Sequence, residues 1–525
     1  MTSPASAGPF NTLKGSSMES FTEGYVTAFP YTYGYYPEMN PIRSVFPILR
    51  KGFAVPRFRR ALELGFGEGV SINIHAAAGN IEWAGTDFNA TQTSFARDLA
   101  EASEARVNLY NDSFAEFAAR DDLGEFDFIG IHGIMSWISH ENQMHLAKII
   151  EKNLAVGGVL YNSYNTFPGW APMIPMRDIL SLYSEKLGNS DLLQGINDAL
   201  AFAQKLVDLD GLYTRQQPVI KARIEGMQKH DHVYLAHEYF NKNWDTISFA
   251  RMAELLAPAK MDYVCQANYL ELVDILNLSR EQIEFLATIR DVVLKESVRD
   301  FLMGAQFRRD YWVKGARKLS AIDRDDALRR QSFALTCRRD SVELTAKGVR
   351  SVVNLNADVY NPVLDIFADN QPHAIGETEE KLREKNVSLS QILEVVSILA
   401  GKGSLAPAQE YDGKIQRHCQ SLNEHIELLA RAENTMKYLA CPLTGGGVAI
   451  DRFAQLFLLA MKNGLRKPEQ WAKFAWDQLC RTRQKLVIDG KTLETDEENL
   501  AELQKRAEDF ERDRLAILRI DGMAK

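Results

Sequence analysis

The sequence predicts an α/β protein: a Rossmann-like parallel sheet interrupted by a helical insertion, an α-rich middle domain, and a winged-helix-like C-terminal domain. Three observations predict it. From about residue 60, short apolar runs alternate with helical patterns, the signature of βα units. The turn Glu63-Leu64-Gly65-Phe66-Gly67-Glu68-Gly69 passes from the first apolar run straight into the first helical stretch. Beyond Pro168-Gly169-Trp170 the pattern turns helical for about sixty residues before strand signals return.

Strands are expected at Ala61 to Leu64, Ile81 to Thr86, Arg106 to Tyr110, Phe126 to Ile131 and Val159 to Tyr164. Helices are expected between them, at Val70 to Ala78, Ala90 to Ala102, Phe114 to Arg120 and Glu141 to Leu154. Such right-handed units place ligands at the carboxyl ends of the strands. In the helical stretch, Ile179, Leu180, Leu182, Tyr183 and Leu187, then Leu192, Ile196, Leu200, Ala203 and Leu206, fall on repeating faces, and a helical pair with large apolar faces is a candidate dimerisation element. A strand at Val233 to Phe240, a helix at Ser248 to Leu256 and a strand at Met261 to Gln266 would complete the sheet. The run Arg280 to Leu302 reads as helical, ended by Phe307-Arg308-Arg309-Asp310-Tyr311-Trp312. Asn361 to Asp369, Ile375 to Lys385 and Leu389 to Leu399 read as three short helices before Gly401-Lys402-Gly403 and the return Leu405-Ala406, a winged-helix pattern. An amphipathic helix runs from Asp496 to Arg519 through Leu500, Leu503, Phe510, Leu515 and Leu518.

The expected boundaries are a flexible tail at 1–20, a core at 21–169, the insertion at 170–230, the end of the core at 231–270, a helical middle domain at 271–340 and the winged-helix-like domain at 341–525. A chain of 525 residues exceeds one hydrophobic core. Its 46% apolar and 25% charged content excludes a largely disordered reading. A net charge of -9 argues against broad nucleic-acid binding. The five cysteines show no CxxC spacing, so neither a zinc site nor a disulfide framework is suggested. A cytoplasmic, membrane-free protein is expected, because no signal sequence or long apolar run is visible.

The chemistry begins at the glycine turn. Gly65, Gly67 and Gly69 let the backbone approach a ligand, but Glu63 before them and Val70 where a dinucleotide fingerprint needs glycine disfavour a pyrophosphate. A carboxylate at Glu63 suits a ligand carrying a cation or amine, as S-adenosylmethionine does. A tight turn without a ligand is the plain alternative for these residues alone. About twenty residues on, Asp87 ends the second strand in Gly85-Thr86-Asp87-Phe88-Asn89, where a carboxylate can hold both ribose hydroxyls. After the third strand, Asp112 is placed to accept from an adenine amino group, and Ser113 fits either the ligand loop or a helix cap. Together these acidic strand ends favour a nucleoside ligand without phosphates, and Phe88 adds an aromatic neighbour. After the fourth strand comes Ile131-His132-Gly133-Ile134-Met135-Ser136-Trp137, where a methyl acceptor would lie, with His132 and Gly133 at the cofactor's edge. No Asn-Pro-Pro-Tyr motif or Pro-Cys nucleophile stands there, and no acidic and histidine array suggests a catalytic metal.

These segments, with Tyr161-Asn162-Ser163-Tyr164-Asn165-Thr166-Phe167-Pro168-Gly169-Trp170 and Leu235-Ala236-His237-Glu238-Tyr239-Phe240, resemble class I SAM-dependent methyltransferases that carry a methyltransferase regulatory domain, and are similar to the rickettsial protein lysine methyltransferases. The resemblance spans roughly residues 22 to 520 and implies a SAM-binding core, a dimerisation element, a middle domain and a C-terminal domain around an open cavity. It departs at Ala90, where proline is frequent, and is loose at Tyr31 to Pro37. It implies methyl transfer from S-adenosyl-L-methionine to lysines of a protein substrate. A small-molecule methyltransferase and a noncatalytic SAM-binding interaction protein remain alternatives. Methyl transfer from a sulfonium needs alignment, desolvation and a neutral nucleophile. Tyr31, Tyr36, Trp137, Tyr164 and Trp170 are the aromatic candidates for an amine-binding cavity, against ordinary core packing. His132 either lines the cofactor or assists proton loss, and His237-Glu238 is read as structural.

Overall fold

The computed structural model describes residues 32–187, 192–229 and 232–524; the tail at 1–20 and Tyr31 lie outside the described residues. The chain forms two units: Tyr31–Met135, Met144–Gly169 and Ile247–Lys525 in one, and a smaller one that includes Ser136–Gln143 and Trp170–Thr246.

The larger unit holds a seven-stranded sheet, β1 (Arg60–Leu64), β2 (Glu82–Thr86), β3 (Val107–Tyr110), β4 (Phe126–Ile131), β5 (Leu154–Asn165), β6 (Met261–Gln266) and β7 (Phe307–Lys314), in the order β3-β2-β1-β4-β5-β7-β6. β1 to β5 pair in parallel, and β7 runs antiparallel between β5 and β6. Sheets covered on both faces read as continuous apolar runs, and β1 is buried at every residue after Arg60. α1 (Pro41–Arg50) precedes the sheet; α2 (Val70–Ala78), α3 (Ala90–Ser103), α4 (Phe114–Ala119) and α5 (His140–Asn153) follow β1 to β4. These elements match the expected series within a few residues at each end.

Every residue of α2 is buried. Its outer side is covered by the C-terminal half: Gln409 Nε2 donates to the Ala78 carbonyl at 2.7 Å, Cys419 Sγ donates to that of Ala77 at 3.5 Å, and Ile415, Cys419 and Leu422 share a core with Val70, Ile74 and Ala77.

Two expectations are corrected. Val233 to Phe240 is not a strand: Val233 to Tyr239 lies on the helix His232–Tyr239, and Phe240 follows it. Its buried Leu235, Ala236 and Tyr239 follow a helical spacing and pack with Ile196, Leu200, Ile220 and Ile224 in the core of the insertion. The Phe307 to Trp312 segment, read as the end of the helical middle domain, is β7, a strand within the main sheet. The helices Arg280–Thr288 and Val292–Met303 precede it.

Further along, Ser332–Leu335 pairs antiparallel with His373–Ala374 and Leu405–Ala408, beside the helices Ala357–Ile366, Ile375–Lys381 and Leu389–Gly401. The amphipathic tail is the helix Asp496–Phe510, a π-helical turn Glu511–Leu515 and the helix Ala516–Ile520, with Leu503, Phe510, Leu515 and Leu518 buried. No helix among the described residues is long and apolar enough to cross a membrane.

Candidate active site

The carboxyl ends of β1, β2 and β4 bring the expected ligand residues into one region. Gly65, Gly67 and Gly69 all take positive φ, at 75°, 57° and 70°. At Gly69, which caps α2, a Cβ would stand 2.4 Å from that of Ala96, so only glycine lets α2 start this close to α3. A Cβ on Gly65 would meet Ile134 Cδ1 at 2.6 Å, so the first glycine shapes the gap between the turn and the loop after β4.

Asp87 ties this turn to the end of β2. Its Oδ2 accepts from Gly67 N and its Oδ1 from Asn89 N, both at 2.9 Å. Burial raises its pKa to about 6, although both backbone bonds oppose the shift. Glu63 is 3% exposed, and its Oε2 has no hydrogen-bond partner among the described residues. Burial, then repulsion from Asp87, holds its pKa well above the usual carboxylate range. Two buried carboxylates that repel each other, with no cation paired to either among the described residues, favour a ligand bearing positive charge and hydroxyl donors.

The other ligand candidates are placed as follows. Phe88 is exposed at the start of the loop. Asp112 Oδ2 accepts from Arg120 at 2.9 Å, and that guanidinium lies 4.4 Å from the Tyr110 ring centroid. Ser113 forms a capping box with Glu116, so its hydroxyl is engaged in starting α4.

The loop after β4 adds a second cluster. His132 stacks on Tyr36 with ring centroids 3.6 Å apart and lies parallel to Tyr161 at 5.9 Å. Its Nδ1 is 2.8 Å from the Tyr161 hydroxyl and 3.3 Å from Ser163 Oγ, which accepts from Gly133 N at 2.8 Å. Burial, then the Arg309 charge, lowers the His132 pKa to about 3, so the ring is neutral. Arg309 bridges Glu38 at 3.3 Å and Glu271 at 3.2 Å.

Three aromatic candidates stand elsewhere. Tyr164 is fully buried on the other face of β5 from Tyr161 and Ser163, because successive side chains alternate. Its hydroxyl donates to Asp310 at 2.9 Å, inside an ion network in which Arg308 pairs with Asp310, Asp300 and Glu296. This corrects its placement in an amine-binding cavity. Trp170 is 1% exposed in the core of the insertion, its centroid 5.1 Å from that of Trp244 and 4.3 Å below the Arg223 guanidinium. It is a packing residue there, which likewise corrects the cavity role. Trp137 is half-buried and belongs to the same unit. Tyr161 and Ser163 were missed, although they lie in the quoted Tyr161-to-Trp170 segment: on a buried strand a hydroxyl's partner cannot be read from sequence.

Comparison with known proteins supplies a context for this geometry. Residues 231–314 match the family described as a predicted methyltransferase regulatory domain, a stretch that includes β6 and β7. An uncharacterized protein of Synechocystis sp. is 34% identical over 506 residues, 95% of this chain and 99% of its own length. An uncharacterized protein of Rickettsia prowazekii is 26% identical over 277 residues, 51% of this chain and 48% of its own. Among solved structures, PKMT2 from Rickettsia typhi in complex with AdoHcy is similar in fold, with a TM-score of 0.65, 19% identity and coverage of 95% of this chain and 99% of that one.

Proposed function

Since the chain belongs to the class I methyltransferase family that carries the methyltransferase regulatory domain, we propose that it transfers methyl groups from S-adenosyl-L-methionine to lysine side chains of a protein. The observation that carries the cofactor is the Glu63 and Asp87 pair beneath the glycine turn, with one buried Glu63 oxygen unpartnered among the described residues. The residues fit the group: Asp87 suits the ribose hydroxyls, Glu63 the cationic amino-acid end, and the glycines leave room for close approach. When bound, the cofactor supplies an electrophilic methyl on a sulfonium. The chain's part is to hold that end near His132 to Met135 after β4, exclude water, and receive an acceptor nitrogen in neutral form. The protein-lysine acceptor is supported by the motif resemblance to rickettsial protein lysine methyltransferases and by the full-length likeness to PKMT2.

We read the three helices and short sheet between Ser332 and Ala408 as winged-helix-like and suited to protein contact. The insertion exposes Ile179, Leu182, Leu209, Leu212 and Val219, which suits self-association into a dimer. A cytoplasmic location accords with the free cysteines. The test is label transfer from methyl-labelled S-adenosylmethionine in a lysate, followed by mass spectrometry of the acceptor. Label on lysine that disappears with Asp87→Ala supports the proposal, and label confined to a low-mass fraction overturns the acceptor.

A further inference from the structure

The hydrogen bonds around His132 favour one tautomer of its ring. Ser163 and Tyr161 are both fully exposed to protein and not to solvent, at 0% accessibility, so each hydroxyl proton needs an acceptor. Three protons meet here: Gly133 N–H, Ser163 O–H and Tyr161 O–H. Ser163 Oγ takes the Gly133 proton, and His132 Nδ1 is the acceptor that both hydroxyls reach, Tyr161 Oη at 2.8 Å and Ser163 Oγ at 3.3 Å. Were Nδ1 protonated, it would donate to Tyr161 Oη, the shorter of its two contacts. The Ser163 proton would then have no acceptor among the described residues. Burial keeps the Tyr161 phenol protonated, as the first arrangement requires. The neutral ring therefore carries its hydrogen on Nε2.

That nitrogen has no partner among the described residues, while the ring is clamped between Tyr36 and Tyr161. The groups facing the ring from neighbouring elements are Tyr36, Tyr161, Phe307 and Arg309, the last with its partners Glu38 and Glu271. Neither carboxylate bonds the imidazole, so an imidazolium there has no counterion in contact among the described residues.

We propose that His132 acts as a fixed Nε2–H hydrogen-bond donor to an oxygen of the bound ligand, held in that tautomer by Tyr161 and Ser163, and that it is not the base that deprotonates the methyl acceptor. The inference rests on the methyltransferase reading of the site. Two oxygens fit the chemistry: the carboxylate at the amino-acid end of the cofactor, and a carbonyl of the acceptor. An ammonium acceptor then gives its proton to solvent before transfer. Tyr161 and Ser163 are positioning residues.

The tautomer is read by nitrogen-15 NMR of the full chain labelled at histidine, with His132 assigned by comparison with His132→Gln. The expected spectrum shows Nε2 protonated and unchanged between pH 5 and 8 by the standard range of histidine titration, and a reduced share of that tautomer in Tyr161→Phe. An Nδ1-protonated spectrum, or titration within that range, overturns the proposal. Binding of S-adenosylhomocysteine measured by calorimetry locates the oxygen: weakening of about tenfold in His132→Ala, largely restored in His132→Gln, points to the cofactor carboxylate. Unchanged affinity with a raised KM for the acceptor points to the acceptor carbonyl. Unchanged affinity and unchanged transfer in His132→Ala overturn the donor role. If the unaltered chain binds no S-adenosylhomocysteine, the cofactor reading fails, while the spectrum still decides the tautomer.

Discussion

Tyr161 and Tyr164 stand three residues apart on β5, both wholly buried, and their hydroxyls end in different networks. Tyr164 joins a closed one, in which Arg308, Asp310, Asp300, Glu296 and Tyr263 answer one another. Tyr161 joins one that stops at His132, whose outer nitrogen has no partner among the described residues. Arg308 and Arg309 repeat the contrast on β7: the side chain of the first is 0% exposed in the closed network, that of the second 28% exposed beside Glu38 and Glu271. The pleat sorts adjacent residues of one kind to opposite faces, so that one face holds the sheet together and the other has bonding capacity left for a ligand.

The contrast can be broken most severely at Arg308. Arg308→Met leaves buried Asp310 and Asp300 without their cation and Glu296 with Arg299 alone, and is expected to destabilise the fold by roughly 3–5 kcal/mol, seen as a large fall in the thermal unfolding midpoint. On the ligand side, Asp87→Ala is expected to weaken S-adenosylhomocysteine binding by about a hundredfold in calorimetry, since the acceptor proposed for two hydroxyls is lost, while the chain stays folded. A third prediction concerns pH. With Asp87 raised to about 6, cofactor affinity is steady above about pH 7 and falls by up to about tenfold per unit as pH drops below 6. The same raised value means that the free native chain holds a proton which the unfolded chain has released. The contribution of Asp87 to stability is therefore full below the ordinary Asp range and lost as pH rises through about 6. The smallest effect is expected from Tyr164→Phe, about 1 kcal/mol of stability with unchanged affinity for S-adenosylhomocysteine; altered affinity would show that the closed face reaches the ligand.

Much of this was legible in the sequence where local signals agreed. Val70 to Ala78 was bounded correctly because Gly69 and Gly79 flank an apolar run, and β1 to β4 because each apolar run carries its turn. β7 was not legible as a strand because its burial depends on charge: Arg308 and Asp310 are buried through each other, and hydropathy counts both as solvent-facing. Val233 to Phe240 failed for the opposite reason. Its aromatic and β-branched residues suit a strand, and only the packing of Leu235, Ala236 and Tyr239 into the insertion selects the helix. Glu63 and Asp87 were identified from type and spacing, whereas the Tyr161 to His132 bond joins two strands whose adjacency sequence alone does not give.

The position of β7 also sets an order of events during synthesis. The last eight residues of β5 are all buried, yet the strand that covers their free edge arrives far later, with Tyr164 and its partner Asp310 separated by 146 residues. Until that stretch leaves the ribosome, β5 is an unpaired sheet edge open to other chains. Chains that end within the insertion or the helices after it are therefore expected to aggregate, and the nascent protein needs shelter until β7 is made.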